Sequence, residues 1–264
     1  MKIVVFDLDE TLGYFTQYGI FWDSLCNYLK TKNIILTQKE FNDTLDLFPD
    51  VLRPNIINIL NYLKEKKQSN CCHKIMIYTN NNGPREWAEK ILSYFEKKID
   101  YDLIDQIIAA FKVNGKKIEL CRTTNSKTHK DLIRCTKIPD TAEICFLDDT
   151  FYPGMTNNNI YYINVKPYYY DYEFNDMLNT FKKSELGIKL IKNDINFDIE
   201  IIKYIKQYNY NCIHKNLQEH EVDKSIGKQI IVHLREFFNR PKKTKTIKNK
   251  TNKINNVSNK TRKR

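Results

Sequence analysis

The sequence predicts an α/β fold built on a central parallel sheet with flanking helices, and three features predict it. Apolar runs without polar alternation recur at Ile3–Phe6, Ile75–Tyr78, Glu143–Leu147 and Ile160–Val165, the pattern of strands covered on both faces. Segments with apolar residues at helical spacing separate these runs, as crossover connections between parallel strands require. Polar clusters gather where the runs end, and ligands of open α/β sheets bind beyond the carboxyl ends of the strands.

Taken in order, the first run ends in two carboxylates two residues apart, Asp7 and Asp9, with a hydroxyl at Thr11. Such a pair makes a cation site with an anionic nucleophile inside it; the plainer alternative is an Asp-rich turn, since Asp favours turns and helix caps. Residues 13–50 are too long for a strand-to-helix loop. Their aromatics (Tyr14, Phe15, Phe21, Trp22) and two helices, over Trp22–Lys32 and Thr37–Leu47, read as a small cap insertion above the sheet end. Thr37 and Glu40 form the Thr-x-x-Glu pattern of a capping box. Arg53-Pro54 opens a helix with Ile56, Ile57, Leu60 and Leu63 on one face, Pro being suited to a first turn.

His73–Thr79 is the second strand, and residues 84–98 form an amphipathic helix carrying Trp87, Ile91, Leu92 and Phe95. Ile104–Val113, a turn at Gly115 and Ile118–Cys121 give a short strand and a hairpin, and Thr128–Cys135 is helical. The third apolar strand ends in Asp148-Asp149, and Pro167 stops the fourth. From Tyr168 to Phe238 the pattern turns helical, with Ile188, Ile191, Ile195, Ile199, Ile202 and Ile205 expected to face a core. The chain thus divides into a domain over 1–166, a helical appendage over 167–239 and a Lys/Asn/Thr-rich tail over 240–264, expected to be disordered.

The formal charge of +11 resides in that tail. Eleven Lys/Arg and no acid lie from Arg240 onward, and the remaining 32 basic residues match the 32 acidic ones. Affinity for nucleic acid is therefore expected first of residues 240–264. The seven cysteines show no regular framework, which fits a reducing compartment. With no signal peptide evident and no apolar stretch of the roughly 18 residues needed to span a bilayer, the expectation is a soluble intracellular protein, cytoplasmic or nuclear, without a membrane partner.

Three strand ends carry chemistry in a fixed order: Asp7/Asp9, Thr79-Asn80-Asn81, then a Lys (Lys127 or Lys130) ahead of Asp148/Asp149. On these residues the chain resembles the haloacid-dehalogenase-like superfamily over residues 1–166. The form Asp7-Leu8-Asp9-Glu10-Thr11-Leu12 is similar to the phosphatases of the RNA polymerase II carboxy-terminal domain and their small relatives. Arg53-Pro54 and Lys130-Asp131-Leu132 add to that likeness, while Thr79-Asn80 is more similar to polynucleotide 3′-phosphatases.

The resemblance implies a Rossmann-like fold and Mg²⁺-dependent hydrolysis of a phosphomonoester. Mg²⁺ takes oxygen ligands through one or two carboxylates together with phosphate oxygens and waters. Asp7, the main-chain carbonyl of Asp9, and Asp148 or Asp149 would hold it. Asp7 would attack phosphorus to give an aspartyl-phosphate, with Asp9 as general acid and then base. Thr79 would hydrogen-bond a transferring oxygen, and a Lys, Lys130 before Lys127, would neutralise phosphoryl charge. Thr11 is expected to tie the strand-end turn. The implied substrate is phosphoserine or phosphothreonine in a protein. The alternatives are a 3′-phosphate on a nucleic acid end, or an idle scaffold of this fold that binds nucleic acid through residues 240–264.

Overall fold

The computed structural model describes residues 1–192 and 194–241. In chain order the strands are β1 (Lys2–Phe6), β2 (Lys74–Tyr78), β3 (Gln106–Ile108), β4 (Lys112–Val113), β5 (Lys116–Lys117), β6 (Glu143–Asp148) and β7 (Ile160–Asn164). The helices are α1 (Thr16–Thr31), α2 (Gln38–Leu45), α3 (Ile56–Gln68), α4 (Arg85–Ile99), α5 (His129–Thr136), α6 (Phe174–Lys183), α7 (Glu185–Ile191), α8 (Phe197–Lys206) and α9 (Leu217–Asn239).

Five strands form one parallel sheet in the order β3-β2-β1-β6-β7, and β4 and β5 make a separate antiparallel hairpin. The chain runs outward from β1 through β2 to β3, then returns to the other side of β1 for β6 and β7. The order therefore reverses between β1 and β6, and that reversal opens a crevice at the carboxyl ends of the two strands. Register brings their ends level: Phe6 lies beside Ile77 of β2 and Leu147 of β6.

Alternate residues of β1 feed two cores, as the two-residue period of a strand requires. Val4 and Phe6 join the larger one, with Phe21, Leu60, Phe95 and Leu234. Ile3 and Val5 join the smaller, with Leu132, Ile138 and Phe146. In residues 13–50, α1 begins at Thr16, ahead of the expected start. Phe15 gives it no side-chain cap, and the aromatic–polar alternation there hides the helical period; Tyr18, Phe21 and Leu25 are all buried. Thr37 and Glu40 cap α2 reciprocally, as their spacing predicts.

The C-terminal helices share the larger core. Lys2, the first residue of β1, donates to the carbonyls of Phe237, Phe238 and Arg240 at 2.7, 2.8 and 2.9 Å, satisfying the C-terminal end of α9. Helix α9 crosses the start of α3 at Gly227, where a Cβ would lie 2.1 Å from the carbonyl oxygen of Pro54. Tyr28 of α1 meets Phe197 of α8 edge to face at 5.2 Å.

The expected isoleucine stripe is corrected in part. Ile205 is buried and Ile191 and Ile202 pack against the larger core as expected, but Ile188, Ile195 and Ile199 are 65%, 89% and 67% exposed, and Phe197 and Ile201 supply buried positions that the stripe did not include. Ile195 lies in the turn before α8, so one helical phase does not run through the segment. Arg240 and Pro241 are described; the expectation of disorder for the rest of the tail, 242–264, lies outside the described residues. Among the described residues no helix is long and apolar enough to cross a membrane.

Candidate active site

The site begins where β1 ends. The Asp7 amide donates to the carbonyl of Leu147 at 2.9 Å, continuing the β1–β6 ladder by one residue. The chain then turns sharply. The Leu12 amide donates to Leu8 and the Glu10 amide to Gly13, at 2.9 and 2.8 Å, with Glu10 in the left-handed region at φ 58°. A non-glycine residue there costs roughly 1–3 kcal/mol and persists where its surroundings over-determine it. Arg53, 1% exposed, supplies that constraint. Its Nε donates to the Thr11 carbonyl at 2.6 Å and its Nη2 to the carbonyls of Glu10 and Lys166. Thr11 ties the turn to β6: its hydroxyl donates to Asp149 Oδ1 at 3.0 Å, and the Asp149 amide donates back at 3.2 Å.

Carboxylate oxygens of Asp7, Asp148 and Asp149 then lie within 4.8 Å of one another. Lys127 reaches into this cluster, its Nζ 2.6 Å from Asp7 Oδ1 and 2.7 Å from Asp148 Oδ2, with its side chain 1% exposed. The Thr150 amide donates to Asp148 Oδ1 at 2.9 Å.

Lys130, expected ahead of Lys127, is not brought to the cluster. It is exposed in the first turn of α5, whose inward face carries Asp131 and Leu132. Lys127 precedes the cap residue Thr128, whose backbone is extended, so its side chain leaves the chain ahead of the helix. That cap, a Thr whose hydroxyl accepts from the Asp131 amide at 3.1 Å, is the signal in the sequence that separates the two lysines.

Burial is the largest influence on these groups. It raises the Asp7 carboxyl above the usual carboxylate range against the pull of Lys127, and raises Asp148 to about 7. Burial alone would lower Lys127, and the Asp7 and Asp148 carboxylates outweigh it, holding the ammonium at about 12. Asp9 is pushed up to about 6 by burial, opposed by the Asn81 side chain, whose Nδ2 donates to Asp9 Oδ2 at 2.7 Å. A carboxyl in that range can give and take a proton near neutrality. Its side chain is thus held by Asn81 and lies outside the three-carboxylate cluster.

At the end of β2, Thr79 is 3% exposed and its hydroxyl accepts from the Asn81 amide at 2.9 Å, which leaves the hydroxyl proton to donate elsewhere. Sequence reasoning missed Arg122, a fully buried residue that fixes this corner. It donates to the carbonyls of Thr79, Ala109 and Asn125 at 3.0, 2.8 and 3.1 Å, and to Asn80 Oδ1 at 2.8 Å. Three segments are joined through one guanidinium lying over the Tyr78 ring at 4.7 Å. A lone arginine in a polar loop carries no periodic signal that marks it. Beside it, Cys121 and Cys135 form a disulfide with Cα atoms 5.1 Å apart, a pairing that irregular cysteine spacing did not predict. Tyr168, where the C-terminal segment begins, is buried against Arg53.

Ionising all three carboxyls beside one ammonium would leave an excess of negative charge in a largely buried place, which is why burial raises Asp7 and Asp148 and why a cation there would be stabilising. The donor set is all oxygen, which suits a hard divalent ion such as Mg²⁺ and not a thiolate-loving metal. No family model matches the chain, and no curated protein or solved structure is significantly similar to it.

Proposed function

We propose that the chain is a Mg²⁺-dependent phosphatase of the haloacid-dehalogenase-like kind, hydrolysing phosphoserine or phosphothreonine in a protein through an aspartyl-phosphate on Asp7. The observation that carries this reading is the buried Lys127 bridging Asp7 and Asp148, with a third carboxylate, Asp149, in the same cluster.

Asp7, Asp148 and Asp149 would hold Mg²⁺, which would neutralise charge between the phosphate ester and its nucleophile. Lys127 fixes the Asp7 carboxylate by one oxygen, so that the attacking group is oriented before substrate arrives. As the Asp7–phosphorus bond forms and the ester oxygen leaves, the Asp9 carboxyl protonates that oxygen. The Asp9 carboxylate then takes a proton from a water that attacks phosphorus, which releases phosphate and restores Asp7. The Thr79 hydroxyl and the Lys127 ammonium stabilise the transferring oxygens, and preorganised donors of this kind are commonly the largest part of such catalysis.

The test is hydrolysis with Mg²⁺ of p-nitrophenyl phosphate, a phosphoserine peptide and a 3′-phosphorylated oligonucleotide, beside an Asp7→Asn control. Turnover of the peptide and not the oligonucleotide is expected. Turnover of the oligonucleotide alone would move the substrate to nucleic acid ends, and no turnover beyond the control would leave the scaffold.

A further inference from the structure

A groove of about 680 Å³ leads away from Asp9, within the range of about 300–1,000 Å³ that ligand sites occupy. Its walls come from three separate parts of the chain: α1 with the residue before it (Phe15, Gly19, Ile20), the first turn of α4 with the residue before it (Pro84, Trp87) and the appendage segment that follows α8 (Tyr208, Tyr210). On the proposed chemistry Asp9 is the group that meets the leaving oxygen. What lies in the groove is therefore joined to the leaving side of the ester and not to the phosphoryl group.

The walls are aromatic and already set. The Trp87 ring stacks on Tyr18 at 6.2 Å and meets Phe41 edge to face at 5.7 Å. Tyr210 has its hydroxyl shared between Tyr14 at 2.9 Å and Asp171 at 2.8 Å, and the Tyr208 hydroxyl donates to Asp23. With the Tyr208 and Tyr210 hydroxyls taken by protein partners, their rings offer apolar surface to a ligand. The charge is as informative: apart from Asp9, the groove is lined by Asp23 and Glu86 against the single ammonium of Lys90, so its walls carry no excess of cations. A nucleic acid strand, which needs cationic walls, is repelled there, and an uncharged or basic peptide is not.

We infer that this groove is a specificity pocket for a phosphopeptide, taking a large apolar or aromatic side chain next to the phosphorylated Ser or Thr, with the Tyr208–Tyr210 segment of the appendage as its outer wall. The inference rests on the phosphatase reading above. It also gives the appendage a part in the site, since the catalytic acids all lie within residues 1–166.

The test measures kcat/KM with Mg²⁺ for two phosphoserine peptides that differ only in having Phe or Ala on both sides of the phosphoserine, and for a 3′-phosphorylated oligonucleotide. A pocket of this kind discriminates by about tenfold to a hundredfold, so the Phe peptide is expected to lead by at least tenfold. In Tyr208→Ser the lead should shrink towards parity. Tyr208 is 46% exposed, and a thermal melt of the variant checks that the fold is kept. Equal rates for the two peptides, or a lead that Tyr208→Ser leaves intact, would overturn the pocket while the phosphatase reading stands. Preference for the oligonucleotide would overturn the peptide as occupant. Absence of turnover on every substrate, p-nitrophenyl phosphate included, would instead bring down the reading on which the pocket rests.

Discussion

Lys127 and Lys215 are both lysines with side chains 1% exposed, and each is paired with a buried aspartate. Their settings differ in charge. Lys215 meets one carboxylate, Asp223, and its ammonium lies over the rings of Tyr168 and Tyr169 at 4.8 and 4.0 Å. One ammonium meets one carboxylate there, so no excess of acid surrounds the lysine. Lys127 meets two carboxylates with a third in the same cluster, at the sheet's topological reversal, and Asp7 keeps 12% of its side chain exposed. A buried lysine is thus no sign of chemistry by itself. An unbalanced set of acids around it, opening on solvent at strand ends, is what distinguishes a site from a structural pair.

The comparison can be broken most forcefully at Asp7. Asp7→Asn should lower phosphate release by about 10⁴-fold or more, loss of a covalent nucleophile being felt on a scale that reaches about 10⁶-fold, with the melting temperature little changed. Lys215→Met should act on the other side of the contrast. It leaves Asp223 buried without its partner, which costs about 3–5 kcal/mol of stability, read by denaturant unfolding, while turnover per folded molecule is retained.

Lys127→Met should lower turnover by about 10²-fold or more, as removal of a preorganised charge-stabilising group does, and Lys130→Met should stay within about twofold. Equal losses in the two variants would contradict the placement of Lys127. A further consequence separates the regions by ligand. Mg²⁺ should raise the melting temperature of the unaltered chain by binding the native state, and Asp149→Asn should diminish that rise. Lys215→Met should shift the melting curve downward and leave the Mg²⁺-induced rise in place.

The sheet and its polar strand ends were legible because both depend on local pattern: unbroken apolar runs at Ile3–Phe6 and Ile144–Leu147, each closed by acids. Parallel order then carries Asp7 and Asp148 to the same crevice, a consequence of topology that a one-dimensional pattern can anticipate. The choice between Lys127 and Lys130 turned on one capping threonine: a helix opening at Thr128 leaves Lys127 ahead of it and Lys130 in its first turn, whereas the likeness of Lys130-Asp131-Leu132 pointed to the wrong lysine. Arg122 was invisible for a different reason. Its partners are main-chain carbonyls of three segments and the side chain of Asn80, and nothing in residue type records such contacts. The isoleucine stripe misled at Ile195 and Ile199, while Ile191, Ile202 and Ile205 meet the core, because a regular spacing continued across the turn between α7 and α8, where helical phase is lost. The groove, assembled from α1, α4 and the segment after α8, has no signature in any one stretch of chain.

The central claim is that Asp7 takes the phosphoryl group, and reductive trapping reads it directly. Borohydride added during turnover with Mg²⁺ reduces an acyl phosphate to the alcohol, so peptide mass spectrometry should find homoserine at position 7 in place of aspartate. An unmodified Asp7 in a chain that is releasing phosphate, or the same modification at Asp148 or Asp149, would contradict the account.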